Sequence, residues 1–254
     1  MRFKILTILS LLTWIILPYS SQATFIADRE SLVPYYGKQN VVIIASTGRS
    51  GSTMLTQQVT KYDARDKVLK THLLPPDARF KGKILFIFSN PDQAAESALY
   101  MTLHHRKFAK NHFTYMETTD WEWLKRIGGP LHQTKEDNLL SYDALGIYDH
   151  LKIWLYTQTE PADPIDAQIL AIKYENLWDR KTVQAIQTFL NIPYFTLPPK
   201  RARGRTESQL FPKEIAFKKT YNLGTKTDPR YAAYADARIL WEQAPPIQYL
   251  KISP

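Results

Sequence analysis

Apolar positions along the chain gather into short unbroken runs, and amphipathic stretches separate them. Val41 to Ala45 is such a run, β-branched except at its last residue, and it stops at the turn-prone Ser46, Thr47 and Gly48. A strand covered on both faces reads this way. Met54, Leu55 and Val59 then predict a helix. Lys67 to Leu74 predicts a second strand, ended by Pro75 and Pro76, and Lys83 to Phe88 a third, ended by Ser89, Asn90 and Pro91. A helix is expected over Asp92 to Arg106, with Pro91 at its first position and Asn90 as its cap. Tyr142 to Thr159 has the apolar spacing of an amphipathic helix, closed by Pro161 and Pro164. Ala167 to Tyr174 predicts a further buried strand and Thr182 to Leu190 a helix. Thr24 to Asn40 reads as a polar and aromatic lead-in, and Asn111 to Asp137 as irregular. From Pro198 onward the chain reads as basic, aromatic and loop-rich, with a last helix near Tyr231 to Glu242. Strands alternating with helices predict an α/β fold: a central parallel sheet with helices on both faces, in three layers. No internal repeat or low-complexity linker divides residues 24–254, so one domain is expected there.

Residues 1–23 stand apart. Arg2 and Lys4 precede a nearly all-apolar run from Ile5 to Leu17, and Ser21-Gln22-Ala23 puts small residues where a cleavage site needs them. This is the pattern of a secretory signal peptide. The run is short for a full span, and an uncleaved anchor is the alternative. A secreted, periplasmic or secretory-pathway protein is expected, with membrane contact confined to residues 1–23. The 254-residue chain has no cysteine, which excludes thiol catalysis, thiolate metal sites and a disulfide scaffold. Its net charge is +9, and loss of Arg2 and Lys4 lowers it by 2 to +7. That excess suits an anionic ligand, an acidic glycan or an anionic surface. No nucleic-acid-binding pattern is present, and no metal is expected.

The run from Val41 to Thr60 carries the candidate chemistry. A strand, a loop of small residues and a helix form an anion cradle, because N–H groups at a helix N-terminus point at the ligand and the helix dipole favours negative charge. Gly48 and Gly51 permit close approach of the backbone, and Arg49 adds a forked, permanently charged donor. The loop is not a Walker A loop, because no lysine precedes Ser52-Thr53.

Four segments, in order, resemble sulfotransferases that use 3′-phosphoadenosine-5′-phosphosulfate (PAPS). Ser46-Thr47-Gly48-Arg49-Ser50-Gly51-Ser52-Thr53 resembles the loop that holds the 5′-phosphosulfate end. Lys70-Thr71-His72-Leu73-Leu74-Pro75 is similar to the segment carrying the acceptor-side lysine and histidine. Ser89-Asn90-Pro91 through Ser97 is similar to the 3′-phosphate segment, and Ile172-Lys173-Tyr174-Glu175-Asn176-Leu177-Trp178 to a run common in these enzymes. The resemblance implies a P-loop-type fold and transfer of a sulfuryl group from PAPS to a hydroxyl or amine. It implies His72 as general base, Lys70 on the sulfuryl oxygens and Arg49 on the leaving oxygen. Gly48, Arg49, Ser50, Gly51, Ser52 and Thr53 would bind the 5′ end, and Ser89 and Ser97 the 3′-phosphate. Glu175 is expected to be structural. The family usually has an arginine where this chain has Ser89, and a hydroxyl is no substitute for a guanidinium on phosphate. Arg201-Ala202-Arg203-Gly204-Arg205 resembles the late basic loop that closes over the same phosphate, so Arg203 and Gly204 are added to the binding set.

Three readings stay open. The first is a PAPS-dependent enzyme whose acceptor is a small molecule, a lipid or a carbohydrate. The second, favoured by Ser89, is a weak or silent relative that only binds a nucleotide or a sulfated or phosphorylated ligand. The third, a nucleotide phosphotransferase, is disfavoured by the missing Walker lysine. Phe113, Tyr115, Trp121 and Trp123 are candidates for an acceptor wall and equally for core.

Overall fold

The computed structural model describes residues 23–48, 50–63, 67–104, 140–200 and 212–253. Seven strands form one sheet: β1 (Thr24–Ile26), β2 (Val41–Ser46), β3 (Lys67–Thr71), β4 (Lys83–Phe88), β5 (Thr159–Pro161), β6 (Ile169–Lys173) and β7 (Ile247–Ile252). Their order is β1-β3-β2-β4-β6-β7-β5. The first five in that order are mutually parallel. β7 runs antiparallel to both β6 and β5. The α/β arrangement is as expected, but the sheet is mixed and not wholly parallel. Pro245 and Pro246 precede β7, whose apolar residues are shared between two cores, Leu250 and Ile252 in one and Ile247 and Tyr249 against the other.

Alternation explains the layers. Val41, Ile43, Ala45, Phe86 and Ala171 face one cluster, and Val42, Ile44, Leu85, Ile87 and Ile172 face the other. The second cluster is covered by α1 (Ser52–Tyr62) and by the helix Arg180–Leu190. The first is covered by α2 (Pro91–His104), by α3 (Ile147–Lys152) with its π-helical continuation Ile153–Thr157, and by the C-terminal helices. Trp154 stacks on Phe86, ring centroids 4.5 Å apart. Arg180–Leu190 is α4, and α5 (Pro212–Thr220), α6 (Arg230–Ala233) and α7 (Ala235–Gln243) follow.

Several boundaries differ from the apolar pattern for local reasons. α3 begins at Ile147, not at Tyr142. The carboxylate of Asp143 accepts the Ile147 and Tyr148 N–H groups at 3.0 and 2.7 Å, which fixes the first turn there. The last helix is two helices, broken at the buried Tyr234. Asn90 caps α2 as predicted, its side-chain oxygen accepting the Gln93 N–H at 3.2 Å.

An ion-pair cluster locks the C-terminal helices to α2. The buried Arg230 pairs with Asp228 at 2.6 Å and Glu96 at 3.2 Å, and Arg238 pairs with Asp92 at 2.8 Å. The Arg230 guanidinium holds the Asp228 carboxyl below the usual carboxylate range despite its burial.

Candidate functional site

β2 lies between β3 and β4, so the chain leaves its carboxyl end with neighbours reached by connections on opposite sides. Open α/β sheets bind ligands at such a switch point. All four of the sequence segments meet there, the fourth through the turn after β6. Ser46 ends β2, the loop 47–51 follows it, the Lys70–Leu74 segment ends β3, and Ser89 follows β4.

The loop is built from short internal hydrogen bonds. Gly48 and Gly51 both adopt positive φ, 83° and 78°. At Gly51 the requirement is double. A β-carbon there would lie 2.2 Å from Cε2 of Tyr174, whose ring packs edge-on against Trp178 at 5.2 Å. Gly51 accepts the Leu55 N–H at 3.1 Å, which opens α1. Ser50 and Ser89 are fully buried, and their hydroxyls meet at 3.2 Å across the β2–β4 gap. Ser50 donates to the Gly48 carbonyl at 2.9 Å and lies 3.0 Å from the Thr47 hydroxyl. Their hydroxyls tie the loop to the sheet.

His72 is buried and pinned to the end of β2. Its Nδ1 lies 3.0 Å from the Ser46 carbonyl oxygen and 2.9 Å from the Ser46 hydroxyl. With its proton on Nδ1 the ring donates to the Ser46 carbonyl, and Nε2 is then the nitrogen able to accept a proton. Phe25 of β1 stands edge-on to His72 at 6.1 Å. Lys70 leaves β3 on the outside of the same strand end. Its ammonium donates to the Thr53 hydroxyl at 2.7 Å, in the first turn of α1, and rests over the Phe25 ring at 5.8 Å.

A second tier holds the base segment from behind. His150 of α3 hydrogen-bonds the His72 main chain, and Trp154 donates to the Leu73 carbonyl at 3.3 Å. Full burial pushes the His150 pKa down to about 4, so this ring is neutral at ordinary pH. Glu175 accepts the Asn90 N–H at 3.1 Å, joining the turn after β6 to the start of α2. Lys173 turns to the opposite face, its ammonium 4.7 Å from the Trp241 ring centre, and burial pushes its pKa down. The pairing of Ser46 with His72, the support from His150 and the wedge of Tyr174 against Gly51 join residues far apart in sequence, and spacing along the chain carried no sign of them.

Ser52 is buried in the first turn of α1, and its carbonyl accepts the Thr56 hydroxyl at 2.7 Å; Thr53 is exposed. Ser97 is half-buried in the second turn of α2. Arg49, Arg203 and Gly204, the aromatic residues at 113, 115, 121 and 123, and the segment 1–22 lie outside the described residues. Among the described residues, no three histidine or acidic side chains gather where they would hold a metal ion.

No family model matches this chain, and no curated protein matches it. Among solved structures it is similar to mouse sulfotransferase SULT7A1 complexed with PAP, at 14% identity and a TM-score of 0.41, over 85% of this chain and 93% of that one. A likeness of that size leaves the chemistry to the site itself.

Proposed function

We propose that the crevice at the carboxyl end of β2 transfers a sulfuryl group from PAPS to a hydroxyl or amine of an acceptor. One observation carries this reading. Lys70, His72 and the α1 N-terminus converge, with Lys70 bonded to Thr53 at 2.7 Å and His72 to Ser46 at 3.0 Å. The donor set fits an anionic nucleotide: the first-turn N–H groups of α1 and the Thr53 hydroxyl lie together, and the Lys70 ammonium donates to that hydroxyl. PAPS supplies the activated sulfuryl group. The N–H groups from Ser50 to Thr53 hold its 5′ end, and Lys70 and Arg49 balance negative charge at the reacting end. His72 accepts the acceptor's proton at Nε2, and Ser46 keeps the ring turned for that task. The test is incubation with PAPS labelled in the sulfuryl group and a metabolite extract as acceptor pool. Label in a non-nucleotide product, absent with His72→Asn, supports transfer. No labelled product from a protein that still binds adenosine 3′,5′-bisphosphate favours the binding-only reading. One feature speaks for that second reading: Ser89 is buried against Ser50 and puts no charge where the family has arginine.

A further inference from the structure

The strand end opposite the candidate site has its own chemistry. Lys38 lies three residues before β2, Lys67 opens β3 and donates its N–H to the Asn40 carbonyl at 3.0 Å, and Lys81 lies just before β4. Gly82 brings that segment close to the first residue of β2: a β-carbon there would lie 2.3 Å from the Val41 carbonyl oxygen. Helix α1 runs back from the site to this edge and places Lys61 in its last turn. All four lysines are exposed. Tyr62 bonds Thr196 at 2.7 Å, so the chain after α4 returns to the same edge, where Tyr194 is 82% exposed. Arg79 is neutralised by Asp77 at 2.7 Å, and the exposed Asp163 and Asp166 before β6 bound the basic area on one side. Thr24 pairs with Leu69 in parallel, so β1 enters the sheet from this edge. No helix among the described residues is long and apolar enough to cross a membrane.

We infer that this edge is a docking surface for an anionic lipid bilayer, with Lys38, Lys61, Lys67 and Lys81 on headgroups and Tyr194 at the interfacial level. Basic residues gain affinity near an anionic membrane, and tyrosine favours the headgroup region. Strands of five or six residues separate the two edges, so the candidate site faces away from the bilayer across about 15–20 Å. The inference does not depend on what the site does. A cysteine-free chain makes the test direct. The full chain carries one fluorophore, at Ala78→Cys on this edge or at Gln93→Cys in the first turn of α2, and is mixed with vesicles containing a headgroup quencher. Vesicles of phosphatidylcholine alone are compared with ones containing phosphatidylserine, without nucleotide. The expected result is quenching at position 78 and not at 93, only with phosphatidylserine, weakening as salt rises. Replacing the four lysines by glutamine lowers the affinity of that response about fivefold per lysine. Equal quenching at 78 and 93, equal quenching in both vesicle types, or a response unchanged by the four substitutions overturns the inference.

Discussion

Gly51→Ala perturbs the site at one atom, and its cost follows from two independent terms. The residue sits at φ 78°, where an L side chain is strained by roughly 1–2 kcal/mol. The added methyl carbon would also stand 2.2 Å from Cε2 and 2.7 Å from Cδ2 of Tyr174, against an ordinary carbon contact of about 3.5–4.0 Å. The ring has to retreat by more than 1 Å (roughly), and Trp178 at 5.2 Å limits its escape. Overpacking of this kind costs about 1–3 kcal/mol. The sum predicts a loss of about 2–5 kcal/mol, read as a lower urea midpoint at unchanged slope. The two terms separate in a double-mutant cycle. In a Tyr174→Ala background the clash is gone and only the φ term remains, so Gly51→Ala costs about 1–2 kcal/mol there. A Gly51→Ala protein within about 0.5 kcal/mol of the parent refutes the reasoning, as does the same cost in both backgrounds.

Three other outcomes are expected. His72→Asn lowers labelled-product formation about 10²–10⁴-fold while leaving binding of adenosine 3′,5′-bisphosphate unchanged by calorimetry, because the proton moves mainly in the transition state. His150 has a folded pKa of about 4 against an ordinary 6.5, so the unfolded chain takes up its proton first. Its contribution is whole above pH 6.5 and is lost as pH falls towards 4, on the order of 2–3 kcal/mol, and the acid slope of stability is one proton smaller in His150→Gln. Arg230→Met leaves the buried Asp228 carboxylate without its partner and costs about 3–5 kcal/mol in denaturant unfolding, whereas Lys251→Met, at the exposed pair with Glu160, changes stability by less than about 1 kcal/mol.

The central sheet was legible because each of its strands is wrapped on both faces. Val41 to Ala45 and Ile84 to Phe88 are continuous apolar runs, and the strand expected over Lys83 to Phe88 has the same ends in the fold. β1 and β5 are three residues each, too short for a pattern to register. β7 alternates properly but lies in a stretch whose basic and aromatic composition reads as loop. The start of α3 depends on a side-chain cap from Asp143, which apolar spacing does not encode. At the site, the short-range features were visible: two glycines, small hydroxyls, and Lys70 and His72 two apart, although the strand expected to run to Leu74 ends at Thr71 and leaves His72 just beyond it. What the sequence does not display is which partners these residues take. Ser46 and His72 are 26 positions apart. Tyr174 reaches Gly51 only because β6 and β2 flank β4 in the folded sheet.

The measurement closest to the central claim is calorimetric titration of the unmodified chain with adenosine 3′,5′-bisphosphate and, separately, adenosine 5′-monophosphate, repeated with Lys70→Met. The account predicts binding of the bisphosphate in preference to the monophosphate. It also predicts a loss of affinity with Lys70→Met worth about 1.5–3 kcal/mol, the usual scale for a charged hydrogen bond. No binding of either nucleotide, or binding indifferent to the loss of the Lys70 ammonium, contradicts it.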